Sequence, residues 1–132
     1  MREIKFRAWD KENGYMITSK QGSATALLSR LNITRQDNGY YNNGDLLKPK
    51  KDKYTIMQYT GLKDKNGVEI YEGDIVKNKL SFMLLENIDV VEFNEEDCSF
   101  MLGKGLRHFN KNLVLEVIGN IYENKELLGS EE

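Results

Sequence analysis

The chain has 132 residues, 39% of them hydrophobic and 30% charged, which suits one compact core and is too apolar for wholesale disorder. A single Cys leaves no partner for an internal disulfide, which points to a reducing compartment, and no apolar run reaches the ~20 residues of a membrane span. The net charge of −2 hides two unlike halves: residues 1–53 carry 11 Lys and Arg against 6 Asp and Glu, a net of +5, and residues 54–132 carry 8 against 15, a net of −7.

Ile4-Lys-Phe-Arg-Ala-Trp9 alternates as a strand does, with Ile4, Phe6 and Ala8 on one face. No signal peptide precedes it, so a cytoplasmic protein without a membrane association is expected. Asp10-Lys-Glu-Asn-Gly14 ends in Asn-Gly, a hairpin signal because both residues tolerate positive φ. Tyr15-Met-Ile17 is then the returning strand.

Between Thr18 and Lys53 the signals thin out. Ser23 is placed to cap a short helix from Ala24 to Leu31, with Leu27, Leu28 and Leu31 as its apolar stripe. Asp37-Asn-Gly39 and Asn42-Asn-Gly-Asp45 read as turns around Tyr40-Tyr41, and Lys48-Pro-Lys-Lys-Asp-Lys53 as a solvated loop.

Tyr54 to Tyr59 is β-branched and aromatic, hence strand. Asp64-Lys-Asn-Gly67 is a tight turn, and Tyr71-Glu-Gly-Asp74 bends the chain into Ile75-Val76. Gly61, Gly67 and Gly73 are the expected turn glycines, and Asp74 is placed to bond nearby backbone amides. Leu80–Leu85, Ile88–Phe93, Cys98–Leu102 and Leu113–Ile121 are four more strand-like runs. Lys125–Glu132 reads as a frayed tail in which Leu127 and Leu128 can dock. Six to nine short strands with one short helix predict a mainly β domain, a small barrel or a sandwich.

Few residues carry chemistry. Asp64, Glu69, Glu72 and Asp74 lie close together, as carboxylates for glycoside hydrolysis or a divalent metal would. Placing Gly67 at the obligatory glycine of a calcium loop puts Leu62 and Gly73 at ligand positions, however, and neither has a carboxylate. Cys98 and His108 form a nucleophile–base pair only on paper, because nothing orients the His and the run Cys-Ser-Phe-Met reads as core. Gly103-Lys-Gly105 lacks phosphate-loop spacing. No cofactor and no metal are expected, and no enzyme. Lys48, Lys50, Lys51 and Lys53, near Tyr40, Tyr41 and Tyr54, are the candidate surface for single-stranded nucleic acid or a partner; lysines there also serve as guards against edge pairing.

Three ordered blocks together resemble the YopX family of bacteriophages and prophages: Lys5-Phe-Arg-Ala-Trp-Asp10, Met57–Gly67 with Glu69–Val76, and Val117-Ile-Gly-Asn-Ile-Tyr-Glu-Asn124. Lys125 stands where the family commonly has Pro. The resemblance implies an SH3-like barrel with an N-terminal β-hairpin extension, a phage origin, and no activity that transfers residue by residue. One family domain over residues 1–132 is expected: a hairpin and variable insertion to 53, a barrel core over 54–124, and a tail. The expected function is a non-enzymatic accessory binding module, a homo-oligomer or a partner of a phage or host protein. Nucleic-acid binding through the basic half is the alternative, and an enzyme built on the carboxylates near Asp74 a further one.

Overall fold

The computed structural model describes residues 3–18, 54–103, 107–109 and 112–131. The helix expected at Ala24–Leu31 and the tyrosine-flanked turns before Lys48 lie outside them. Compact contacts divide the chain into two units, Met1–Gln58 and Tyr59–Glu132, and the boundary falls inside a single strand. The fold is mainly β, as expected.

In the first unit, β1 (Phe6–Asp10) and β2 (Tyr15–Thr18) form an antiparallel hairpin with Ala8 opposite Ile17. The first half of β3 (Tyr54–Lys63) pairs on the other side of β1, Ala8 opposite Ile56. Ala8, Ile17 and Tyr54 are buried together, with Phe6 and Ile56 packed on them, while Ile4, expected on the same face, is exposed and Arg7, on the other, is buried. The hairpin turn is held by one buried carboxylate. Asp10 Oδ1 accepts from the amides of Glu12 and Asn13, and Oδ2 accepts from the Asn13 side chain. Gly14, at φ 70°, donates to the Asp10 carbonyl.

In the second unit, the far half of β3 pairs with β4 (Glu69–Tyr71) across a bulge between Tyr59 and Lys63. The main sheet has five antiparallel strands in the order β8-β7-β6-β5-β9 and curls into a half-barrel. Its members are β5 (Asp74–Leu80), β6 (Asn87–Asn94), β7 (Ser99–Leu102), β8 (Arg107–His108) and β9 (Leu113–Asn120). Ile70, Val76, Val91, Leu102, Leu113 and Leu115 form its buried cluster. Opposite β5, Ile75 pairs with Gly119 and Val76 with Val117, so Ile118 is the extra residue of a bulge that bends β9.

Three expectations change. Leu80–Leu85 is not a strand: β5 takes Lys77, Asn78 and Lys79 instead and ends at Leu80, and residues 81–88 are all exposed. The polar residues fit because Asn78 is buried with its amide satisfied, donating to the Asn87 carbonyl (3.2 Å), Asp89 Oδ2 (3.0 Å) and the Val76 carbonyl (3.5 Å). Cys98 is not core; it is exposed, in a turn, at φ 52°. The tail forms 3-10 turns over Lys125–Glu131 with a break at Gly129, and Leu127 and Leu128 are half-buried.

Candidate functional site

The carboxylates that first invite a catalytic reading are tied to the backbone. Asp64 is buried, and its Oδ1 accepts from the amides of Asn66 (2.8 Å) and Val68 (2.9 Å). Its Oδ2 reaches across 53 positions to the Val117 amide at 2.9 Å. Burial pushes its pKa up, but the amides of Val117, Val68 and Asn66 and the charge of Lys65 outweigh that and hold it below the ordinary value of 3.8. The turn Asp64–Val68 thereby covers part of the outer edge of β9: Lys65 N–H donates to the Leu115 carbonyl (3.0 Å), and Lys65 pairs with Glu116 (3.7 Å). Gly67, at φ 83°, closes the turn by donating to the Asp64 carbonyl.

Gly61 and Gly73 also take positive φ, 90° and 84°. Gly61 sits in the β3 bulge, where the Thr60 hydroxyl donates to the Ile70 carbonyl and accepts from the Leu62 amide. Gly73 donates to the Val91 carbonyl and its own carbonyl accepts from the Ile121 amide, both at 2.9 Å. Asp74, buried, accepts from the Tyr71 amide at 2.8 Å. Around the same bend, Asn120 Oδ1 accepts from the amides of Tyr122 and Glu123, and Asn124 Oδ1 accepts from the Asn120 amide. These polar groups join β4, β5, β6 and the end of β9. Glu69 and Glu72 are half-buried.

Among the described residues no three His, Cys, Asp or Glu side chains come together as a metal site would require. Lys48, Lys50, Lys51 and Lys53 lie outside the described residues, and so does the His108 side chain.

The surface that the sequence reading missed is the connection from β5 to β6. Phe82 is 75% exposed, Leu84 96%, Leu85 75%, Met83 44% and Ile88 45%. A turn organises its start, with Ser81 N–H donating to the Asn112 carbonyl (2.7 Å) and Met83 N–H to the Leu80 carbonyl (2.9 Å). Beside it lies a shallow cleft of about 70 Å³, lined by Lys65, Lys77, Lys79, Glu86, Val114 and Glu116 among others. Lys77 pairs with Glu86 at 3.7 Å. The cleft is far smaller than the roughly 300–1,000 Å³ of small-molecule sites. One signal for the loop was present: Phe-Met-Leu-Leu has no alternation, and it follows a run already long enough to be a strand.

The family model described as YopX protein matches residues 5–129. Two crystal structures resemble the whole chain. Protein EF1440 from Enterococcus faecalis is 28% identical, with a TM-score of 0.56, over 97% of this chain and 99% of that one. Protein yopX from Bacillus subtilis is 22% identical, with a TM-score of 0.51, over 96% and 98%. No curated protein matches. Among the described residues no helix is long and apolar enough to cross a membrane.

Proposed function

The chain belongs to the YopX family, and from that premise we propose that it is a non-catalytic binding module, of phage or prophage origin and acting in the bacterial cytoplasm, that docks a protein partner through the loop Ser81–Glu86. One observation carries the reading: four consecutive apolar side chains stand in solvent on a loop whose base is hydrogen-bonded into the sheet. Monomeric soluble proteins rarely expose contiguous apolar patches beyond a few hundred Å², and larger ones mark interaction sites. The carboxylates near Asp74 add support, since Asp64 and Asp74 are engaged with backbone amides.

A photo-crosslinking amino acid at position 82, introduced into the chain expressed in bacterial cells, tests this. Adducts of higher mass are expected at position 82 and not at exposed Glu123 on the other end of β9. No adduct at 82 removes the loop as a docking surface.

A second reading, single-stranded nucleic acid on the basic half, is favoured by the net charge of +5 over residues 1–53. Low-salt mobility shifts that weaken in Lys50→Glu with Lys51→Glu are its expected sign, because the phosphate contribution is largest at low salt.

A further inference from the structure

Among the described methionines one stands apart. Met57 and Met101 lie in the core, 3% and 2% exposed, and Met16 is half-buried in β2, whereas Met83 is 44% exposed. It also lies inside the docking loop, between Phe82 and Leu84. Its N–H donates to the Leu80 carbonyl at 2.9 Å. The side chain is therefore displayed from a fixed turn and meets solvent without any opening of the sheet.

A methionine is soft and apolar only while its sulfur is reduced. Sulfoxidation leaves the chain length unchanged but adds a strong S–O dipole, so an apolar contact becomes a polar one. Hydrogen peroxide suffices as the oxidant. The sulfur lone pair attacks one peroxide oxygen, and the O–O bond breaks as the S–O bond forms. The other oxygen takes up the proton of the first and leaves as water. Sulfur gives up two electrons and peroxide accepts them. A thiol-dependent reductase reverses the change.

We propose that Met83 is an oxidation site that switches the Ser81–Glu86 loop: the thioether form docks and the sulfoxide form does not. The switching rests on the reading of the loop as a docking surface.

Two features of its placement carry this. The first is its neighbours. Met83 has exposed apolar side chains on both sides in the chain, so a sulfoxide oxygen there has no polar neighbour to bond once a protein covers the loop, and an unbonded polar group resists burial. The second is its separation from Cys98, an exposed sulfur that peroxide also reaches. The loop leads into one end of β6 and Cys98 follows the other, which sets the two sulfurs roughly 20 Å apart along the strand. Oxidation of the thiol therefore leaves the loop untouched.

Peptide mass mapping of the purified full chain in hydrogen peroxide is the first test. One added oxygen is expected at Met83 before Met57 or Met101, which react only when urea opens the core. Equal reaction of Met57 or Met101 in the folded chain overturns the site. The second test is the photo-crosslink at position 82 in bacterial cells, with and without a pulse of hydrogen peroxide. The wild-type adduct is expected to be lost in peroxide and kept in Met83→Leu, which preserves the apolar volume and has no sulfur. Met83→Gln, polar and of similar length, is expected to cut the adduct roughly tenfold without peroxide, since burying an unbonded amide costs enough for a factor of that size. A wild-type adduct that survives peroxide, a loss as large in Met83→Leu, or a full yield in Met83→Gln overturns the switch. If no adduct forms at position 82 even without peroxide, the docking reading falls and the switch with it, and selective reaction at Met83 in the first test then marks an oxidation site alone.

Discussion

Two connections flank β5, and they invert the usual relation between polarity and burial. The bend before it, Glu72-Gly73, leads into a buried Asp74, and its backbone is bonded to Val91 and Ile121. The loop after it, Ser81–Glu86, is mostly apolar and stands in water. Hydrophobicity alone places them the wrong way round. What decides is where backbone polar groups find partners: a bend with positive φ, a carboxylate and two strand neighbours can be buried without orphaned groups. An apolar loop with no strand beside it cannot follow its side chains inward, because its own amides would lose water.

The comparison breaks most decisively at Gly73. Gly73→Val forces a β-branched residue to φ 84° at a buried site, and a loss of about 3 kcal/mol is expected, read as a fall in melting temperature. An unchanged melting temperature removes the claim that the bend is what fixes β5.

Asp64→Asn comes next. It turns one acceptor oxygen into a donor facing amides, and about 2 kcal/mol of destabilisation is expected in urea titration. Folding holds the Asp64 pKa below 3.8, so the unfolded chain takes up this proton first as the pH falls. The stability Asp64 contributes is whole above the unfolded value and drains away as the pH drops through the lower, folded one. Urea midpoints measured downward from pH 5 are therefore expected to fall less steeply in Asp64→Asn than in the wild type.

Gly119→Ala is smaller. A methyl group there meets the Asn124 side chain at 2.6–2.8 Å, so Asn124 must give up its bond to the Asn120 amide, a loss of about 1–1.5 kcal/mol. The far side of the comparison predicts almost nothing: Leu84→Asp, 96% exposed, is expected to leave the unfolding free energy within about 0.5 kcal/mol. A large loss would mean that the loop is part of the fold and not a surface laid on it.

Much of the fold was legible because its signals are local. Asn13-Gly14, Asn66-Gly67 and Gly73 need only their own backbone angles, and the alternation of Phe6 and Ala8 needs only one buried face. Asp74 was legible for the same reason, since its partner Tyr71 is three positions away. Asp64 was half legible: its bonds to Asn66 and Val68 are local, but its hold on Val117 is set by the fold. The end of β5 was not legible. An apolar run such as Leu80–Leu85 satisfies strand propensity whether or not a neighbouring strand exists to accept it, and Lys77-Asn78-Lys79 reads as loop until Asp89 and the Asn87 carbonyl are seen to receive the Asn78 amide. Cys98 failed similarly: its hydrophobicity was visible, and the positive φ that puts it at a turn was not. The docking loop was missed because exposure is a property of neighbours.

Asn78 has one more consequence. Its amide works as an indexing pin, engaging only when β5 and β6 meet with Asn78 opposite Asn87. A slip by a single position would turn that amide to the opposite face together with Val76 and Leu80 and bring Lys77 and Lys79 toward the core. The pin thus counts out how much chain remains for the connection. Residues inserted between Ser81 and Glu86 would lengthen the tip and leave the count unchanged, so the height of this surface is set apart from the frame of the sheet beneath it.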